Sequence, residues 1–176
     1  CSYTQVGQPV EIQSLTRRYV YDGFQRLCKT IEPESGVSIL SYLATGNVQW
    51  QAIGQNTLTS TTACQQSSVP AAQRALNFYD ARNRLTRIDH TSGSDDIGYQ
   101  YEADGAVQTA IIGTLNSAVP PEFVSTKNSW TYVYNKRRLL TDETLALDGK
   151  SFALNWRYNP RGDQEGLIYP SGLDIG

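Results

Sequence analysis

The sequence has no methionine, one histidine and three cysteines among its 176 residues. It also lacks any apolar run of the roughly 18–20 residues that a membrane-spanning helix needs, so no such helix is predicted. Long stretches of strong helix formers are missing, whereas glycine, serine, threonine, asparagine and glutamine are frequent. This composition argues against a helical fold and is typical of many short strands joined by turns.

An excess of positive charge is absent as well. Fifteen lysines and arginines stand against 17 aspartates and glutamates, which gives a net charge of -2. Neither nucleic acid nor an anionic membrane surface is therefore an expected partner. We interpret the short basic runs Arg17-Arg18 and Lys136-Arg137-Arg138 as solvated surface rather than as binding sites for a polyanion.

The residue types that build catalytic and metal sites are sparse. His90 is the only histidine and has no neighbouring cluster of cysteine or histidine, so a zinc site or a Ser-His-Asp triad is not indicated. The close carboxylates Glu32 with Glu34 and Asp95 with Asp96 lie in segments that we predict to be turns. We therefore predict no catalytic residue, no metal ligand and no cofactor, and we expect a protein that is not an enzyme by itself.

The cysteines allow one pairing within the repeated part of the chain. Cys28 and Cys64 are separated by 36 residues, and a disulfide between them would stabilise the fold by a few kcal/mol in an oxidising compartment. The alternative is that both thiols are reduced and merely buried. Cys1 would be left over.

One phrase recurs along the chain: tyrosine and aspartate, three variable residues, then arginine and leucine. It is complete twice, as Tyr21-Asp22 with Arg26-Leu27 and as Tyr79-Asp80 with Arg84-Leu85. A looser copy runs from Tyr134 to Leu139, and weaker copies begin at Tyr42, Tyr101 and Tyr158.

The spacing of these tyrosines is regular. Tyr21 and Tyr42 are 21 residues apart, and Tyr79 and Tyr101 are 22 apart, whereas Tyr21 and Tyr79 are separated by 58. A short unit of about twenty residues is thus doubled within a longer unit, which indicates a repeat protein. We predict one array over 1–176, with units at about 17–72, 73–128 and 129–166 and the start of a fourth at 167–176.

Each unit reads as antiparallel hairpins, because segments alternate in period two and end at Asp-Gly, Gly-Asn or Pro-containing turns. A lead-in strand is expected within residues 1–14. The segments 54–70 and 116–128, the second with Pro120-Pro121, are predicted to be exposed loops, and one helical turn is predicted within 69–76. Tyrosines next to each turn are expected to pack between strands, although a sugar-stacking platform is the alternative.

The phrase and its spacing resemble the RHS/YD-repeat family over about residues 17–172. The resemblance implies an all-β fold of antiparallel hairpin repeats in a curved, spiralling sheet, as a segment of a hollow shell. It further implies a large bacterial secreted or cell-surface protein, such as a polymorphic toxin, whose shell encloses a C-terminal effector; teneurins carry a related shell. The Asp-Pro signature of the family's autoproteolytic core is missing from this sequence.

Two functions follow as hypotheses. The first is a structural segment of such a shell, whose partners are the rest of the shell and its effector and whose sheet edges favour self-association. The second is a surface module that binds carbohydrate or a receptor through exposed aromatic residues.

Overall fold

The computed structural model describes residues 15–93, 95–116 and 123–175. Its described part is almost entirely β: thirteen antiparallel strands form one sheet, and their order in the sheet is their order in the chain. The predicted class, an all-β array of antiparallel hairpins, is confirmed. The expected strand within 1–14, Cys1, Ser94 of the segment 91–94 and Pro120-Pro121 lie outside the described residues, and the division into longer units stays a prediction.

The strands follow one another at short intervals. They are β1 (Arg18–Tyr21), β2 (Leu27–Glu32), β3 (Gly36–Tyr42), β4 (Val48–Ala52), β5 (Ala75–Tyr79), β6 (Leu85–His90), β7 (Asp96–Tyr101), β8 (Val107–Leu115), β9 (Phe123–Tyr134), β10 (Leu140–Leu147), β11 (Lys150–Tyr158), β12 (Gln164–Ile168) and β13 (Asp174–Ile175).

Because every connection joins antiparallel neighbours, the connections lie alternately at the two ends of the strands. The six connections that lead from an odd to an even strand lie at one end, which we call the regular rim. Each of them holds five residues between the flanking strands. At the other end, the variable rim, the connections range from two residues between β10 and β11 to 22 residues between β4 and β5.

The long connection, residues 53–74, is named the strap here because it lies across the sheet. Directly paired residues share a face of the sheet, so the registers Ile39↔Ala52 and Trp50↔Leu76 place these four side chains together. Val69 of the strap packs with them and is 2% exposed. We call the sheet face under the strap the strap face.

The prediction of an exposed loop over 54–70 is therefore partly wrong. Val69 and Gln55 are buried, and Leu58 packs against the core, while much of the remaining segment is exposed. A loop needs only a few apolar side chains to cover a sheet face when backbone groups are satisfied locally. The predicted helical turn is confirmed as a 3-10 turn over Ala71–Gln73.

The second predicted loop, 116–128, is also partly wrong. Residues from Phe123 onwards belong to β9 and pair with β8, with Ser125 opposite Thr114 and Asn128 opposite Ile112. The adjacent prolines led to the prediction of a loop, although they do not restrict the backbone of residues that lie after them in the chain. The strand therefore begins at Phe123, two residues after Pro121 in the sequence.

The apolar side chains change faces along the sheet. The strap face can be followed from β5 to β8 through direct cross-strand partners, which are Phe78↔Arg87, Arg87↔Gly98 and Gly98↔Ile111. On β7–β12 the opposite face, which we call the apolar face, holds most of the large apolar side chains: Ile97, Tyr99, Ile112, Trp130, Tyr132, Leu145, Phe152, Leu154, Trp156 and Leu167. None of these side chains is buried, whereas every buried hydrophobic residue in the described ranges lies between Val20 and Ala75.

Candidate functional site: the turns of the regular rim

The six turns of the regular rim share one backbone pattern. In the first, the amide of Asp22 donates to the carbonyl of Arg26, and the amide of Gln25 donates to the carbonyl of Asp22. The equivalent pair of hydrogen bonds is present in all six turns, with distances of 2.8 to 3.0 Å. Each turn also brings the last residue of one strand opposite the first residue of the next, as in Tyr21↔Leu27 and Tyr79↔Leu85.

The fourth loop position has positive φ in every one of these turns. Glycine takes it in three, which removes the penalty of the left-handed conformation. The values are 62° for Gln25, 91° for Gly46, 59° for Asn83, 102° for Gly105, 62° for Arg138 and 99° for Gly162. Asn83 suits this conformation too, since asparagine is enriched there, whereas Gln25 and Arg138 adopt it against their preference.

The aspartates of the repeated phrase close their own turns. Asp22 Oδ1 accepts the amides of Phe24 and Arg26, both at 2.9 Å, and its Oδ2 accepts Arg26 Nε at 2.8 Å. Asp80 repeats the arrangement with Arg82 and Arg84 at 2.7 to 3.0 Å. Such charge-assisted bonds favour the ionised carboxylate.

The pKa values of the two aspartates follow from this geometry. Burial raises the pKa of Asp22, but the hydrogen bonds from Arg26 and Phe24 outweigh it, so the pKa lies below the ordinary value. The backbone hydrogen bond from Arg84 is the largest cause that lowers the pKa of Asp80, and burial opposes it. Both carboxylates are thus held in the charged form that the turn requires.

The arginines of the phrase reach from their own turn to the next one. The Arg26 guanidinium lies 4.6 Å from the centre of the Tyr42 ring and donates to the carbonyl of Leu43 at 3.3 Å. Arg84 lies 4.4 Å from the Tyr101 ring centre and donates to the carbonyl of Glu102 at 3.3 Å. A cation–π contact and a hydrogen bond therefore fasten one hairpin to its neighbour.

The tyrosines that end the strands form a ladder along the rim. Each hydroxyl donates to the carbonyl of the first residue after the preceding turn. The bonds are Tyr42 to Leu27 at 2.7 Å, Tyr79 to Val48 at 2.8 Å, Tyr101 to Leu85 at 2.6 Å, Tyr134 to Val107 at 3.0 Å and Tyr158 to Leu140 at 2.8 Å. These half-buried tyrosines make hydrogen bonds within the sheet and do not form an exposed platform. Tyr21, at the first turn, is 59% exposed.

The third copy of the phrase is aligned one residue differently from its sequence-based assignment. Asn135 takes the aspartate position and accepts the amides of Arg137 and Leu139, so Leu139 and not Arg138 stands where Arg26 and Arg84 stand. Arg138 instead pairs with Asp104 of the preceding turn at 2.9 Å. Leucine cannot reach across as arginine does, and Arg138 supplies a different bridge.

A further contact between turns, from an arginine to a backbone carbonyl, was not predicted from the sequence. Arg82 donates to the carbonyl of Ala103 at 2.6 Å, and Arg137, at the equivalent loop position, donates to the carbonyl of Pro160. Phe24 has this position in the first copy and is 80% exposed. The signal in the sequence is an arginine two residues after Asp80 and two after Asn135, which is recognisable only once the third copy is correctly aligned.

Cys28 lies where two other copies of the repeat have threonine. Thr86 and Thr141 donate through their hydroxyls to the carbonyls of Phe78 and Val133 at 3.1 Å. The Cys28 sulfur lies 3.2 Å from the carbonyl of Val20 but is bonded to Cys64, and the two Cα atoms are 5.4 Å apart. The disulfide thus attaches the strap to a standard position of the repeat.

Lys29, next to the disulfide, is fully buried on the strap face. Its Nζ donates to the carbonyl of Ser60 at 2.9 Å and to Oε1 of Gln65, both in the strap. Burial lowers its pKa. The sequence signal is weak: Lys29 and Ile31 are two residues apart and so share a face, but a lysine in a strand usually indicates exposure.

The sequence-based candidates for chemistry are not gathered in one site, and the carboxylates among them take part in structural contacts. Asp95 pairs with Lys127 at 2.7 Å, and Asp96 accepts the amide of His90 at 2.8 Å. Glu32 and Glu34 pair with Arg17 at 3.8 and 3.3 Å. In the described ranges, no three residues from among histidine, cysteine, aspartate and glutamate are grouped as metal ligands would be.

Buried charges lie together on the strap face of β6 and β7. The Arg87 guanidinium lies 3.9 Å from the centre of the Phe78 ring, and burial lowers its pKa. Burial, with the nearby charge of Asp96, raises the pKa of Asp89. This group lies where the apolar side chains change faces. On the strap face, β6 therefore presents charged side chains where β5 presents apolar ones.

The regular rim also carries two shallow grooves. One, of about 370 Å³, is lined by Glu102–Asp104, Gln108 and residues 131–135, between the fourth and fifth turns. The other, of about 520 Å³, is lined by Phe24, Arg26 and Tyr42–Ala44. As for membranes, the described helical segments include none with the length and apolar character of a membrane span.

The fold and these turns define a β-hairpin repeat protein whose neighbouring hairpins are joined by tyrosine hydroxyls. No protein-family model matches the chain, and no curated protein matches it. Among solved structures it is similar to the crystal structure of TcdB2-TccC3-Cdc42, with 16% identity, a TM-score of 0.46 and coverage of 93% of this chain. A second similar structure is TcdB2-TccC3-TEV, with 15% identity, a TM-score of 0.45 and coverage of 92%.

The Photorhabdus luminescens Tc holotoxin pore is also similar, at 12% identity and a TM-score of 0.41 over 87% of this chain. The chain spans 9% of the length of each of these three matched chains.

Proposed function

We propose that this chain is a structural segment of a hollow RHS-repeat shell within a large bacterial secreted or cell-surface protein, where the shell encloses or presents a toxin or effector. In this proposal the chain is non-enzymatic and forms part of the wall of the shell. Its partners are the other parts of the shell and the enclosed effector.

The observation that carries the proposal is the tyrosine ladder. Five successive hydroxyls fasten each turn to the one before it, and arginines reach forward to the next. One hairpin alone is marginal in water, whereas attached hairpins make a sheet whose length grows with the number of repeats. A sheet built in this way can form the wall of a shell.

Two further observations support the proposal. The carboxylates that the sequence offered for catalysis are used in structural contacts: Asp95 pairs with Lys127, and Asp96 accepts the backbone amide of His90. The disulfide between Cys28 and Cys64 suits an oxidising compartment, which agrees with secretion or surface display.

The test is to isolate the parent protein from its source with an antibody against this chain, and to combine intact mass with limited proteolysis. The proposal predicts a parent several times longer than this chain, and a polypeptide that resists protease until the sheet is unfolded. A parent of this length that protects nothing from protease would contradict the proposal.

Matched variants in the parent sharpen this test. Asp80→Ala removes the carboxylate that closes one turn, and we expect the protected polypeptide to become sensitive to protease at a lower denaturant concentration. Lys136→Ala changes an exposed loop residue of the same rim and should leave protection unchanged. Equal protection in both variants would show that the turn closed by Asp80 does not contribute to the protection.

A further inference from the structure

The apolar face of β7–β12 is a continuous surface in the register of the sheet. Its central row runs through direct cross-strand partners: Tyr99↔Ala110, Ala110↔Trp130, Trp130↔Leu145 and Leu145↔Phe152. Five strands thus contribute one uninterrupted line of apolar side chains. A parallel row beside it contains Ile97↔Ile112.

The residues of this surface keep contact with solvent. Most side chains in the central row are half-buried, and Phe152 is exposed, at 42%. A one-layer sheet buries an apolar face only when a second layer packs on it. On β1–β5 the strap is that layer, with Val69 and Leu58 against Ile39 and Trp50.

The other face of the same strands is more polar, although Ile111 and Val133 lie on it. Thr109, Thr131 and Thr144 are direct partners across β8, β9 and β10, and Asp142 lies opposite Asn155 with a hydrogen bond between their side chains. The contrast between the faces sets the apolar one apart as the face that needs cover. The few charges on it include Glu143 and Lys150, which have opposite signs.

We propose that the apolar face of β7–β12 is a self-association surface on which a second copy of this chain packs, sheet against sheet. A two-fold axis places the same patch on both partners, so the patch must complement itself. An apolar row does so without any requirement for matched charges, and Trp130 and Tyr99 are residue types that dominate interface energies.

The size of the face agrees with such an interface. Six strands spaced by about 4.8 Å, each with about eight residues at a rise of about 3.3 Å, make a patch of roughly 29 by 26 Å. Its area is on the order of 750 Å², close to the about 800 Å² per partner of a stable complex. Two twisted sheets can meet face to face in the aligned packing of β-sandwiches.

The experiment is sedimentation equilibrium of the chain from about 1 to about 200 µM, a range that brackets a micromolar Kd. We expect a reversible dimer. Trp130→Ser and Leu145→Ser should each weaken it at least tenfold, whereas Val133→Ser, on the strap face of the same strand β9 and 50% exposed, should leave it intact.

A measurement on the unaltered chain guards against variants that fail to fold. On dilution through the dimer midpoint, tryptophan emission should shift to the red as Trp130 and Trp156 return to water. A monomer at every concentration, or a dimer that Trp130→Ser leaves intact, would overturn the proposal, and so would a monomer that binds only an added apolar peptide. The inference goes beyond the shell function, because a monomeric chain leaves the tyrosine ladder and its test untouched.

Discussion

Strands β1–β5 and strands β7–β12 share the turns of one rim, yet their apolar side chains lie on opposite faces of the sheet. In the first region, Ile39 and Trp50 are buried under the strap, with 0% and 6% of their surface exposed. In the second, Trp130 and Leu154 are half-buried. The repeated turns therefore set strand direction and attach neighbouring hairpins, but they do not decide which face is covered.

The two regions meet at β6. Leu76 and Phe78 of β5 have Asp89 and Arg87 as their direct partners on the strap face, so β6 offers charged side chains there. Ile88 of β6 points to the other face, which is the apolar one from β7 onwards. A change in the alternation of one strand is enough to move the apolar side chains from one face of the sheet to the other.

The largest expected effect is a difference in stability loss between replacing the buried Trp50 and replacing the half-buried Trp130. Trp50→Ala should reduce the free energy of unfolding by about 3–5 kcal/mol, because it opens a cavity in the core under the strap. Trp130→Ala in dilute solution should cost about 1–2 kcal/mol, since its ring is partly hydrated already. Urea unfolding measures both values, and equal losses would refute the contrast between the regions.

Removing the disulfide should affect the first region alone. Replacement by Cys28→Thr with Cys64→Ser should cost about 3–4 kcal/mol, because a loop closed over 36 residues becomes open. Threonine is chosen because Thr86 and Thr141 occupy the equivalent position. Hydrogen exchange should accelerate in β2–β4 and stay unchanged in β8–β11, and a reductant should have no effect on the variant.

The ladder gives a smaller effect that should be the same in both regions. Tyr101→Phe removes the hydrogen bond to the carbonyl of Leu85 and should cost about 1 kcal/mol. Tyr134→Phe, in the second region, should cost the same. Tyr21→Phe is the matched control, because its ring is exposed at the first turn, and it should be neutral in thermal unfolding. A large loss there would show that the ladder is not what stabilises the rim.

The smallest expected effect is a dependence on alkaline pH. Burial lowers the pKa of Lys29 below its ordinary 10.5, so between the folded and unfolded pKa values the unfolded chain binds more protons. Stability should therefore rise with pH through that window. The pKa values of Tyr101 and Tyr132 are raised by burial and act in the opposite direction. Comparison with Lys29→Met isolates the lysine, and an identical pH profile would contradict its burial.

Much of the regular rim was predictable from sequence, because its signals are local. Tyr21-Asp22 and Tyr79-Asp80 mark the ends of strands, and glycine at 46 and 105 supplies the positive φ that the turn needs. The fifth turn, which is the third copy of the phrase, shows the limit of such signals. Asn135 to Leu139 has an arginine near the expected place, and only the hydrogen bonds of Asn135 show that leucine takes the position.

The features that could not be predicted are those that depend on contacts distant in sequence. The strap is polar, so its sequence predicts an exposed loop. In the structure, Val69 of the strap packs in the core, and the Gln66 side chain donates to the carbonyl of Leu40. Burial of Lys29 requires two acceptors more than thirty residues away. Which face is covered follows from the position of the strap and not from alternation within a strand.

Hydroxyl-radical footprinting, with mass spectrometry of the three tryptophans in dilute solution, tests the central contrast most directly. The structure predicts that Trp50 is modified slowest, because the strap covers it, and that Trp130 and Trp156 are modified faster. Modification of Trp50 as fast as of Trp130 and Trp156 would show that the strap does not cover the core, and the assignment of the buried face in β1–β5 would be wrong.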